Sequence, residues 1–226
     1  PALMRRTVSS YHGGMKNPAL HQAFSAEFRG RLLDRFLRYA AIGTQSDRHA
    51  AGEKTPSTDC QWKLIRILEE ELRECGIADV TVNAEGFLVA RLPSNLPRPS
   101  SVPCVGFIAH VDTAADVPGT DVRPRVHENY DGSPIRLEDG VVLDPADNPR
   151  LSRYAGDTIV TSDGTTLLGA DDKAGIAAIV SAAEHLAAHP EIPRGEIEFI
   201  FTPDEETGKG MDRFPMELIR SKAAYT

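Results

Sequence analysis

His110 and Asp112 stand one residue apart at the end of the apolar run 105–109, and here the sequence could first do chemistry. Alternate residues leaving a strand point the same way. An imidazole that binds a metal usually needs a carboxylate or carbonyl on its other ring nitrogen to fix the tautomer. His110 is therefore a candidate ligand, with Asp112 behind it. Taken alone, the pair reads more readily as a loop histidine beside a capping aspartate, because histidine ligands are recognised by their company.

That company comes as two acidic clusters. Gly169-Ala170-Asp171-Asp172-Lys173-Ala174-Gly175 precedes a small-residue helical stretch, 174–188. Aspartate at a helix start is favourable as a cap. One cap suffices, so one carboxylate is left over, and the two glycines imply a tightly packed turn. Thr202-Pro203-Asp204-Glu205-Glu206-Thr207-Gly208 follows a second buried-strand candidate, 196–201. Three adjoining acids are costly to bury without a counter-charge. Neighbouring side chains diverge, so one of Glu205 and Glu206 can hold a metal while the other takes a proton from water. The donor set is nitrogen and oxygen without thiolate. It suits zinc, and it is compatible with cobalt or manganese.

The elements that must position these groups can be read from periodicity. Phe28, Leu32, Leu33, Phe36, Leu37 and Ala40 recur at helical steps after Ser25, a candidate N-cap, with Gly43 as a stop. A second helix opens at Ser57 or Thr58 and runs through Trp62, Leu64, Ile65, Leu68 and Leu72 to Gly76. Its acidic run Glu69, Glu70 and Glu71 is expected to be a solvated face. Val80 and Val82, then 87–92, form a hairpin about Gly86. Residues 111–151 read as long loops, and 158–161 and 166–168 as short strands. The order predicts an α/β fold with a mixed, twisted sheet flanked by helices. Ligands in such sheets gather beyond the carboxyl ends of strands, where all three motifs fall. Residues 1–24 are expected to be an N-terminal extension and 25–226 to be part of one catalytic domain.

Composition narrows the class. The net charge of −8 over 226 residues argues against nucleic-acid and anionic-membrane partners. No run is apolar and long enough to span a bilayer. The three cysteines, Cys60, Cys75 and Cys104, are an odd count without short spacing. That fits neither a disulfide framework nor a thiolate zinc site. Packing roles and a reduced, cytoplasmic setting are expected.

The strings GFIAHVDTAADVPG, TLLGADDKAGIA and FTPDEETGKG resemble the signature blocks of the dinuclear zinc peptidases, in their aminotripeptidase branch. The wider family also holds aminoacylases and carboxypeptidase-G-type enzymes. PSTDCQWKLIRILEEEL and Val126-His127-Glu128-Asn129-Tyr130 fit the same branch. The resemblance runs from about Phe36 to Thr226. It implies that His110 binds one zinc, Asp171 bridges two, Glu206 binds the second, Glu205 is general base and then acid, and Asp112 orients His110. It further implies a cis peptide between Asp171 and Asp172. The activity implied is removal of the N-terminal residue from short peptides, chiefly tripeptides, with full-length relatives homodimeric. The family pattern also has an aspartate in a Val-Asp-Gly-Gly stretch, a distal histidine, and a lid and dimerisation domain, all absent before Thr226. The expectation is therefore an incomplete catalytic domain. Its alternatives are an inactive or partial metal-binding fragment, or a related aminoacylase or carboxypeptidase activity.

Overall fold

The computed structural model describes residues 24–99 and 102–226. The expected N-terminal extension therefore lies almost wholly outside the described residues. Helix α1, Ala26–Ala40, begins where Ser25 Oγ accepts the Phe28 amide at 3.1 Å, so the predicted cap is in place. Helix α2 is Gln61–Glu74 and α3 is Ala170–Ala188. The main sheet has five strands: β1 Asp79–Val82, β2 Leu88–Leu92, β3 Val105–His110, β8 Ile197–Thr202 and β9 Ala223–Tyr225. Their spatial order is β1-β2-β8-β3-β9. The β1, β2 and β8 pairings are antiparallel, whereas β3 lies parallel to both β8 and β9. The sheet is therefore mixed, as predicted.

The core forms where the apolar helical stripes meet this sheet. Leu64, Leu68 and Leu72 of α2 and Ile176 and Val180 of α3 are fully buried with Leu88, Ala90, Phe199 and Phe201. Helix α1 packs on α3, α3 on β3, and α2 on β1 and β2. Among the described residues no helix is long and apolar enough to cross a membrane.

Several expectations needed correction. Helix α2 starts at Gln61, not at Ser57 or Thr58, and its first turn has no side-chain cap. Ser57 gives its amide and hydroxyl to the buried Asp204 carboxylate instead, at 2.7 and 2.5 Å. Residues 166–168 form no strand, because the local backbone is spent elsewhere. The Thr166 carbonyl accepts from Ser162 Oγ at 2.7 Å, and the Leu167 amide donates to Pro118 at 2.9 Å. The stretch read as long loops contains two small two-stranded sheets. In one, β4 Arg125–His127 pairs with β7 Ile159–Thr161; in the other, β5 Ile135–Arg136 pairs with β6 Val142–Leu143. Strands of two or three residues are too short to show a period.

The acidic run on α2 is not uniformly solvated. The Glu71 side chain is only 14% exposed and accepts from Arg35 at 3.1 Å, Arg38 at 2.7 Å and the Tyr39 hydroxyl at 2.7 Å. Burial raises its pKa, but the bonds from Arg38, Tyr39 and Arg35 outweigh burial and hold it below the ordinary 4.5. A depressed carboxylate stabilises the fold above its unfolded pKa and ceases to do so as pH falls through the folded value. The gap in melting temperature between the native chain and Glu71→Gln should therefore be full at neutral pH and close on acidification below 4.5. A gap that stays constant down to about pH 2 would remove Glu71 from this role.

Candidate metal centre

Register brings the His110 motif and the motif of residues 202–208 together. Strand β3 runs parallel to β8 with His110 opposite Thr202. Both strands therefore release their loops at one edge of the sheet. The Val111 amide continues the ladder to the Thr202 carbonyl at 2.9 Å. Helix α3, packed across β3, delivers the motif of residues 169–175 from its N-terminal end.

The three loops converge. His110, Asp171 and Glu206 each present a ligand-type atom within 4.8 Å of the others. His110 Nε2 lies 3.0 Å from Asp171 Oδ1 and 3.9 Å from Glu205 Oε2. His110 Nδ1 faces the Asp112 carbonyl at 3.0 Å and its carboxylate at 3.4 Å. Backbone and side-chain oxygens of Asp112 thus both face this nitrogen and hold the ring's orientation.

The Asp112 carboxylate has a further task that the sequence did not reveal. Fully buried, it accepts the Glu205 amide at 2.9 Å and the Glu206 amide at 3.1 Å. One side chain therefore steadies the imidazole and anchors the two glutamates. Asp204 supports the same turn from below. It is buried, adopts a left-handed φ of 61°, and accepts from Ser57 and from Gln61 Nε2 at 2.8 Å. Only the order of acids was legible in advance; that Asp204 turns inward follows from its φ and from the partners awaiting it.

In the second cluster the two aspartates divide their tasks. Asp172 caps α3 by accepting the Gly175 amide at 3.2 Å. A Cβ at Gly175 would meet Asp172 Oδ1 at 2.2 Å, so with any other residue there the carboxylate would have to turn aside. Asp171, 86% exposed, is left free toward His110. Both aspartates have non-helical backbone angles, and the bond between them is cis, as the resemblance implied.

Electrostatics mark the same spot. Burial lowers the His110 pKa, but the hydrogen bond and charge of Asp112, with Asp171 and Asp172, prevail and raise it to about 9. Burial pushes Glu206 up; His110 opposes this, while Asp112, Asp171 and Glu205 add to it. Several carboxylates thus crowd one imidazole, and a divalent cation would relieve their repulsion. With one nitrogen donor, carboxylate oxygens and no thiolate, the residues fit a hard or borderline metal such as zinc.

In its fold and in the residues gathered at this site, the chain is similar to the peptidase M20 family. The profile of peptidase family M20/M25/M40 matches residues 160–224. Peptidase T of Exiguobacterium sp. (strain ATCC BAA-1283 / AT1b) is 52% identical over 200 residues, which are 88% of this chain and 48% of that protein. Peptidase T of Bacillus licheniformis is 49% identical over 200 residues, again 88% of this chain and 48% of that protein. The chain thus spans about half the length of the curated relatives it matches. Among solved structures, aminopeptidase PepT from Bacillus cereus aligns with a TM-score of 0.60 at 25% identity, covering 87% of this chain and 42% of that one. A tripeptidase from Staphylococcus aureus aligns at 0.59 and 26%, with the same coverage.

Proposed function

We propose that this chain supplies most of the metal centre of a two-zinc aminopeptidase that removes the N-terminal residue from short peptides, chiefly tripeptides. What carries the reading is the convergence of His110, Asp171 and Glu206 within 4.8 Å. The similarity to peptidase T from several bacteria supports the substrate class. In this reading residues 25–226 are part of one catalytic domain. Its three free cysteines accord with a reduced, cytoplasmic setting.

His110 and Glu206 would hold one ion each and Asp171 would join the two. Zinc, when bound, polarises the peptide carbonyl and eases deprotonation of the attacking water. The rest falls to side chains of this chain. Glu205 accepts the water's proton and passes it to the departing amine. Asp112 keeps the His110 ring and the Glu205–Glu206 backbone in place.

Zinc titration of the purified chain, read by calorimetry and elemental analysis, tests the centre. Bound zinc should raise the melting temperature, since a ligand that binds only the folded state stabilises it. It should be lost in His110→Ala combined with Asp171→Asn. Binding that survives the double substitution would place the metal elsewhere. Cleavage of a tripeptide, a dipeptide and an N-acyl amino acid by the active enzyme tests the substrate class. Preference for the acyl amino acid would replace the aminopeptidase by an aminoacylase.

A further inference from the structure

Lys173 is only 1% exposed, two residues after Asp171 at the first regular turn of α3. A buried ammonium is unfavourable unless paired and hydrogen-bonded. No carboxylate forms an ion pair with Lys173 among the described residues, although its side chain is buried. Its hydrogen bond runs from Nζ to the Ile42 carbonyl at 2.6 Å.

Ile42 opens the segment 42–47, and that segment grips the other two site loops as well. The Thr113 amide donates to Thr44 O at 3.2 Å, and the Ser46 amide to Thr113 O at 3.0 Å. This holds the loop that carries His110 and Asp112. The Asp47 amide donates to Ser57 Oγ at 2.9 Å, and Ser57 in turn holds Asp204, beside Glu205 and Glu206. The Asp171 turn is drawn to the segment by Lys173. Packing there is close: a Cβ on Gly169 would come 2.9 Å from Thr113 Cγ2 and 3.5 Å from Lys173 Nζ.

We propose that Lys173 is a positioning residue for the metal centre. Hooked onto the Ile42 carbonyl, its ammonium sets where Asp171 stands relative to His110 and Glu206. The segment 42–47 is then the common post to which all three ligand loops are tied. This inference rests on the metal-centre reading above, and one titration separates the two.

The native chain and Lys173→Met are titrated with zinc by calorimetry and with cobalt, whose visible absorption reports ligand geometry. Methionine keeps the unbranched stem and removes the donor. Lys173→Met should bind about tenfold or more weakly, in the range seen when the supports of metal ligands are removed. Its cobalt spectrum should differ from the native one, at a temperature where both chains have the same helix content by circular dichroism. Lys173→Arg, which is long enough to reach the carbonyl, should recover most of the affinity. If the native chain binds neither ion, the metal-centre reading fails. If it binds and Lys173→Met matches it in affinity and spectrum, only the lysine proposal fails. Should Lys173→Met not fold, Lys173→Arg is compared with Lys173→Gln, whose amide is too short to reach Ile42. Equal affinity in those two overturns the proposal.

Discussion

Glu205→Gln in the active enzyme is expected to slow peptide hydrolysis by about a hundred- to ten-thousandfold, the usual contribution of a positioned general base. The side chain is 62% exposed, and its Oε2 stands 3.9 Å from His110 Nε2. Its backbone is held independently, through the amide bound to Asp112 Oδ1 at 2.9 Å. The substitution therefore alters the tip and leaves the turn in place. Glutamine matches the shape of glutamate but cannot take up a proton at neutral pH. The zinc content should stay at the native level, which separates loss of chemistry from loss of metal. A variant that keeps more than about a tenth of native kcat would exclude Glu205 as the base.

The second large effect is expected at Asp112. Asp112→Ala removes the acceptor of two backbone amides, at Glu205 and Glu206, and the carboxylate 3.4 Å from His110 Nδ1. Each buried donor left without a partner costs about 1–3 kcal/mol. Two such donors would give about 2–6 kcal/mol if wholly buried, and because both amides are only part-buried the loss in unfolding free energy should fall toward the low end of that range. Zinc affinity should fall by about ten- to a hundredfold, because His110 and Glu206, the ligands proposed above, both lose support. Asp112→Asn tells the two tasks apart. Its carbonyl oxygen can accept one amide, so it should recover part of the stability without restoring full affinity. Chemical denaturation and zinc calorimetry on the same three proteins provide the check. An alanine variant with native stability would show that the carboxylate is dispensable to the 205–206 turn.

These two residues also show what the sequence could and could not reveal. The loops of His110 and of Glu205 and Glu206 were legible because each follows an apolar strand, and such strands open their loops at the carboxyl edge of the sheet; the Asp171 turn follows no strand and showed itself only through its paired aspartates between two glycines. The parallel pairing of His110 with Thr202 then brings the loops side by side. The division of labour in Asp171-Asp172 was legible too, since a helix needs only one cap and the other carboxylate had to be spare. Long-range partners were not legible. Nothing local says that Asp112 reaches across to the amides of 205 and 206, or that Ser57 turns away from its helix to meet Asp204. Glu71 was misread for a similar reason. Glu70 beside it is exposed, and the buried setting of Glu71 arises only when α1 brings Arg35, Arg38 and Tyr39 against it. Helical periodicity locates a face, but it does not say which other helix will cover it.

The contact between Asp172 and the bare backbone of residue 175 carries one last implication. A side chain gained at 175 would displace the carboxylate at 172 from its present place, and with it weaken the device that starts α3 beside the Asp171 turn. Among diverging copies of this gene the two should be exchanged as a couple or kept as a couple.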